Sequence, residues 1–195
     1  MTMPQEVAEI MCIFLADGDP LYQAAIFYSY AKEAEGGCIV ELGTYRGRGA
    51  VALALGTRDG NKLKVYTIDD YVERQGWIGE PYGPDDKETF FENIKTVGLE
   101  DDITLLQMDV LEAADAFRRI WKEGISLVLW DVGVSRVRDD FDAWKDYVVP
   151  GGIFLLKDAQ DYQLGTDKII EEAETTGEWE ITRHQNLITA LRKPA

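Results

Sequence analysis

No apolar run in this chain approaches the roughly 18 residues that a membrane-spanning helix needs. The opening, MTMPQEVAEI, lacks the basic stretch with which a secretory signal begins. Cysteine is limited to Cys12 and Cys38. One falls in an expected helix and the other in an expected strand, so both read as small buried hydrophobes in a reducing compartment. These shortages together lead to the expectation of a cytoplasmic protein. Basic residues are short as well, with 20 Lys and Arg against 36 Asp and Glu and a formal net charge of −16. The basic groups Arg46 with Arg48, Arg118–Arg119 and Arg192–Lys193 are small and separate, so a polyanion would meet a repulsive field. Nucleic acid and anionic membrane are therefore not expected as partners. Small neutral, aromatic or sugar-like molecules remain, and a homo-oligomer is compatible with the composition.

What is present is an ordinary globular composition, 46% hydrophobic and 29% charged over 195 residues, which suits one domain with a substantial core. Its organising stretch is Cys38 to Leu55, CIVELGTYRGRGAVALAL. A short apolar run, Cys38-Ile39-Val40, reads as a buried strand. Glu41 follows, then Gly43, Gly47 and Gly49, then a run of small apolar residues suited to a helix packed on a sheet. Strand, glycine turn and helix is the layout that sets a helix N-terminus against a ligand. A phosphate-binding loop would close on Lys and Ser or Thr, but Ala50 and Val51 stand there. A dinucleotide fingerprint needs G-x-G-x-x-G, and the spacing here is G-x-x-x-G-x-G.

The remaining reading is the S-adenosylmethionine (SAM) loop, in which an acidic residue ends the strand two positions before the first glycine. Glu41-Leu42-Gly43 has that form, competing with an ordinary glycine-rich strand-to-helix turn. The stretch resembles the ELG-x-Y-x-G-x-[SG]-A loop of class I small-molecule O-methyltransferases, the catechol O-methyltransferase type and methyltransferase domain family 24. The resemblance implies that Glu41, Gly43, Thr44, Tyr45, Gly47 and Gly49 bind the cofactor.

The rest of the chain is consistent with it. Val7, Ile10, Met11 and Phe14 are at helical spacing, so Pro4 to Leu15 is expected as a helix, and Leu21 to about Ala34 as a second. Residues 1–35 thus form a helical cap before a core at 36–195. The cap's plain role is to cover the sheet; in the resembling enzymes such helices also help to close the substrate pocket. Leu63 to Ile68 reads as a second strand ending in Asp69-Asp70, about 20 residues past the glycines, where a Rossmann-like site bonds ribose hydroxyls. Asp69 is preferred to Asp70, because the family places its carboxylate in T-I-[DE]. Tyr71 to Lys87 is too rich in Gly and Pro for an element and reads as a binding loop or lid. Trp77 and Tyr82 there either stack on adenine or substrate or anchor the loop. Ile103 to Met108 is a third strand. The resemblance implies adenine contacts from Met108, Asp109 and Val110, while Asp109 also reads as the N-cap of the next helix.

Ile125 to Trp130 is a fourth strand delivering Asp131, and Ile153 to Leu156 a fifth ending in Lys157-Asp158. Thr166 to Thr176 is an acidic helix. Trp179 to Arg183 and Leu187 to Arg192 form a hairpin around His184, the only histidine, expected as an exposed turn residue. Strands alternating with helices predict a Rossmann-like α/β fold with helices on both faces. The resemblance implies the class I methyltransferase version, a mostly parallel seven-stranded sheet closed by a C-terminal antiparallel hairpin.

SAM on the glycine loop would aim its methyl over the carboxyl ends of the fourth and fifth strands. Asp131 there is a further cofactor contact and, with Lys157, a catalytic candidate. In the metal-dependent relatives, carboxylates at these strand ends hold a divalent cation. Asp131 and Asp158 match those positions and would hold Mg²⁺ or a similar hard ion. Lys157 turning inward to neutralise the pair is the competing arrangement, and strand alternation argues against it unless the strand has ended. The chain departs from the family in having Asp131-Val-Gly-Val134-Ser for D-G-D-H-S and Lys157-Asp158 for His-Asp. Two functions follow: SAM-dependent O-methylation of a small hydroxylated molecule such as a sugar or phenol, or a SAM-binding protein without catalysis that serves as a partner or regulator.

Overall fold

The computed structural model describes residues 3–12, 21–76, 79–121, 123–132, 136–157, 165–183 and 188–195. Helices α1 (Gln5–Met11) and α2 (Leu21–Glu33) lead into β1 (Cys38–Leu42), α3 (Arg48–Arg58) and β2 (Val65–Ile68). A two-stranded ribbon, β3 (Arg74–Gln75) with β4 (Pro81–Tyr82), precedes α4 (Pro84–Thr96). Next come β5 (Ile103–Leu106), α5 (Val110–Ile120), β6 (Ile125–Trp130) and α6 (Val137–Trp144). The chain closes with β7 (Val148–Leu156), α7 (Thr166–Thr176), β8 (Glu180–Arg183) and β9 (Thr189–Arg192).

Seven strands form one sheet in the order β5-β2-β1-β6-β7-β9-β8. The pairs from β5 to β7 are parallel, whereas β9 runs antiparallel to both β7 and β8. Every residue of β1 and of β6 is buried, as in parallel strands covered on both faces. Alternation along these strands splits the core in two. Ile39, Leu127, Leu129 and Leu155 pack with the residues of α1 to α4. Val40, Leu42, Val128, Trp130, Phe154 and Leu156 pack with those of α5, α6 and α7. Glu41 has the parity of Ile39 and so faces α3.

The strand order places the site. From β1 the chain steps outward to β2 and β5, then returns to lay β6 against the other side of β1. The sheet thus reverses its winding between β1 and β6, and such a reversal opens a crevice at the carboxyl ends of the strands.

Several boundaries differ from the sequence expectation. Strand β7 starts at Val148, not Ile153, and carries Pro150-Gly151-Gly152 within it, with the register against β6 shifting between Ile125 and Leu127. The segment expected as a binding loop or lid without elements holds a ribbon and the start of a helix. Gly83 is the N-cap of α4, Pro84 is its first residue, and Asp85 and Asp86 fill its first turn. Proline at the first helical position followed by acids is a helix start, and that signal outweighs the local Gly and Pro content. Helix α1 ends at Met11, with Phe14 and Leu15 outside the described residues. Cys38 is buried as expected, but Cys12 is exposed. No helix among the described residues is long and apolar enough to cross a membrane.

Candidate functional site

The three loop glycines each make room for the protein itself. Gly43 has φ +87°, and a Cβ there would stand 2.8 Å from the carbonyl carbon of Asp131 and closer still to its oxygen. The ends of β1 and β6 therefore touch through their backbones, with Asp131 N–H donating to Leu42 O at 2.8 Å. Gly47, the left-handed N-cap of α3 at φ +89°, lies against the Phe90 ring, which a Cβ would meet at 2.6 Å. A Cβ on Gly49 would overlap the carboxyl of Glu41. Glycine, having no Cβ, takes the positive φ at Gly43 and Gly47 and allows all three close approaches at little cost.

Glu41 is 1% exposed and lies beneath the loop, where it accepts a hydrogen bond from the Thr67 hydroxyl; Thr67 in turn bonds the Thr44 hydroxyl. Burial raises its carboxyl well above the usual range, opposed by the Thr67 bond and reinforced by the charges of Asp131 and Asp69. Thr67 had no signal in the sequence. It faces Glu41 only through the parallel register of β1 and β2, which pairs the two residues.

Asp69, at the end of β2, is 6% exposed and holds the glycine loop by its backbone. Its Oδ2 accepts from the N–H groups of Thr44 at 2.9 Å and Tyr45 at 3.1 Å. Its Oδ1 accepts from Tyr71 N–H at 3.2 Å and from the Tyr82 hydroxyl. Asp70 instead turns outward to pair with Arg74 at 2.5 Å. Tyr82 stacks between Tyr45 and Tyr71 at 6.0 and 6.1 Å, and the Arg74 guanidinium lies 4.1 Å over its ring. Tyr45 and Tyr71 hold φ +49° and +52°, strained backbone for such side chains. Of the two loop aromatics, Tyr82 is thus folded onto Asp69; Trp77 lies outside the described residues.

Helix α4 clasps the same loop. Asp86 accepts from Gly83 N–H through one oxygen and pairs with Arg46 Nε at 2.9 Å through the other. The Asn93 side-chain amide donates to Arg46 O at 2.9 Å. At the end of β5, Asp109 caps α5 by accepting from Leu111 N–H at 2.8 Å, and it pairs with Arg136 at 2.8 Å. Met108 is partly buried and Val110 buried beside it.

Asp131 follows β6 and Lys157 follows β7. Lys157 Nζ lies 2.8 Å from Asp131 Oδ1. The alternation argument against an inward Lys157 fails because β7 ends at Leu156 and the lysine sits in the turn beyond it. Asp158 and His184 lie outside the described residues, so the expected Asp131–Asp158 pairing has no described partner for Asp131. Among the described residues no three side chains are grouped to hold a metal ion. Asp131, the carboxylate expected to ligate one, meets an ammonium instead. A divalent cation on that oxygen would face a like charge within a few ångströms, so the described residues as arranged do not fit it.

The sheet order, the glycine loop at its winding reversal and the strand-end acids have their counterpart in a known family. Residues 40–159, more than half of the chain, match the methyltransferase domain family 24. The chain belongs to that family. Its fold is that of the class I SAM-dependent methyltransferases, as the solved structures like it also indicate. An O-methyltransferase from Bacillus cereus in complex with S-adenosylhomocysteine superposes with a TM-score of 0.73 at 15% identity, covering 99% of this chain and 93% of that one. The O-methyltransferase TomG from Streptomyces achromogenes, involved in tomaymycin synthesis and solved with SAM, gives 0.76 at 13% identity, covering 100% and 92%. A methyltransferase from Geobacter sulfurreducens gives 0.72 at 15% identity, covering 100% and 92%. No curated protein matches the sequence.

Proposed function

We propose that this methyltransferase moves the methyl group of SAM to a hydroxyl of a small molecule such as a sugar or phenol. The observation that carries the reading is the convergence, at the winding reversal of the sheet, of a strained glycine loop with acids from the neighbouring strand ends: Asp69 on one side and Asp131 on the other. Gly43, Thr44, Tyr45, Gly47 and Gly49 form the cofactor's bed. Glu41 supports that bed from beneath rather than lining it, since it is buried under α3. Asp69 takes the ribose hydroxyls in exchange for the Tyr82 hydroxyl it now accepts. Met108, Asp109 and Val110 edge the adenine, with Asp109 held by its cap and by Arg136.

Methyl transfer is an in-line displacement at carbon. The acceptor oxygen attacks the methyl group, the carbon–sulfur bond breaks to leave S-adenosylhomocysteine, and the hydroxyl proton departs. Holding the acceptor in line supplies much of the acceleration, and removal of its proton supplies more. Asp131 and Lys157 stand at the reacting end, and Asp131 is the carboxylate there to receive the proton. We take the chain as one domain, with residues 1–35 as its helical cap and the cytosol as its setting. The rival reading, a SAM-binding partner without catalysis, draws on the departures at Val134 and Lys157 from the family's histidines. Calorimetry with SAM, S-adenosylhomocysteine and NAD tests the cofactor, and NAD binding in place of SAM overturns the reading. S-adenosylhomocysteine formed only when an acceptor is added separates enzyme from binding protein.

A further inference from the structure

One arginine ties the start of α6 to the end of β5. Arg136, the N-cap residue of α6, reaches Asp109 with Nη2 2.8 Å from Oδ2. On its other side, Nε lies 3.4 Å from Asp140 Oδ1. Asp140 is fully buried, and its other oxygen accepts from the Trp130 indole N–H at 3.0 Å. A carboxylate withdrawn from water is costly unless it is paired, so this one is committed to Trp130 and Arg136. The series Trp130, Asp140, Arg136, Asp109 thus runs from the last residue of β6 to the end of β5, and both of its ends border the crevice.

An ionised carboxylate offers about four lone-pair positions on its two oxygens. On Asp109, Oδ1 takes the N–H groups of Leu111 at 2.8 Å and Glu112 at 3.4 Å, and Oδ2 takes Arg136. A lone pair remains on the oxygen that the guanidinium fixes, and the side chain is 31% exposed. Burial pushes the Asp109 carboxyl up, but the Arg136 bond and the cap N–H groups outweigh it and hold the group below the usual carboxylate range. At neutral pH Asp109 therefore accepts hydrogen bonds and donates none. We propose that Arg136 is a positioning residue for the cofactor's base: by fixing the Asp109 carboxylate in one orientation, it makes this strand end select the 6-amino group of adenine over a 6-oxo purine. This rests on the SAM reading, with adenine at the end of β5. An amino group donates to the remaining lone pair, whereas a 6-oxo base sets oxygen against oxygen. A tie that only held α6 to the sheet would weaken both bases alike and leave the choice between them unmoved.

The probes are S-adenosylhomocysteine and its 6-oxo counterpart, S-inosylhomocysteine, titrated by calorimetry beside thermal melts. Wild type is expected to prefer the adenine compound by about tenfold or more, the worth of one hydrogen bond to a charged group. Arg136→Met is expected to lose most of that preference, and Arg136→Ala serves if that variant does not fold. Asp109→Ala is expected to abolish the preference. Adding Arg136→Met to Asp109→Ala should then change the ratio no further, because Arg136 acts through that carboxylate. A folded Arg136 variant that keeps the wild-type ratio overturns the proposal. So does a further loss in the double variant, which would put Arg136 on the cofactor itself, and so does a wild type that binds both compounds equally. A wild type that binds neither compound sinks instead the SAM reading on which the proposal stands, so the two failures are told apart.

Discussion

Replacing Gly43 by alanine separates two costs that a loop glycine can hide. The first is conformational: an L residue held at φ +87° is disfavoured by about 1–2 kcal/mol. The second is steric, because the new Cβ would press on the backbone carbonyl of Asp131, which has no flexible side chain to yield. Overpacking of that kind costs about 1–3 kcal/mol. Gly151→Ala supplies the control, since Gly151 sits at φ +78° with nothing within 4 Å of where its Cβ would be. Gly151→Ala should therefore lose only the conformational part, about 1–2 kcal/mol. Gly43→Ala should lose about 3 kcal/mol, which for a chain of this size is a fall of about 6–12 °C in melting temperature. Calorimetric melts of the two variants and wild type measure the difference. Equal melts for Gly43→Ala and Gly151→Ala would refute the argument, since the close approach of β1 to Asp131 would then impose nothing. Gly43→Val, which puts a β-branched side chain at the same place, should by the same reasoning unfold more readily still.

Other outcomes follow from the same contacts. Asp69→Ala should weaken SAM by about 1.5–3 kcal/mol through lost charge-assisted bonds, and Asp70→Ala much less, as read by calorimetry; the reverse order would move the ribose site to Asp70. Tyr82→Phe keeps the ring stack but removes the hydroxyl on Asp69. It should tighten SAM binding by about 0.5–1.5 kcal/mol, and weaker binding would make Tyr82 part of the cofactor site instead. The raised carboxyl of Glu41 contributes stability fully below the unfolded glutamate pKa of about 4.3, and this is lost as pH rises toward its folded value. Glu41→Gln should accordingly gain on wild type in melts taken at rising pH above about 4.3. A difference independent of pH would show that Glu41 is ionised in the fold.

The sequence by itself determined the order of strands and helices, because apolar runs, turn residues and caps are local signals. Thr166–Thr176 was legible to the residue, and Asp109 as an N-cap from its place before an amphipathic run. It also singled out the glycine loop and Asp69, since a tight strand-to-helix turn carries its unusual residues close together in the chain. The sequence did not reveal what those residues touch. Gly43 meets Asp131 from 88 positions away in the chain, Glu41 meets Thr67 through strand register, and Tyr82 reaches back to Asp69 from a ribbon the composition did not suggest. Each of these partners is supplied by a different element, so no spacing encodes it. The turn of Lys157 toward Asp131 was settled in the same way. Alternation predicts a side chain's direction only while the strand lasts, and the pairing of β7 with its neighbours ends it at Leu156, one residue before the lysine.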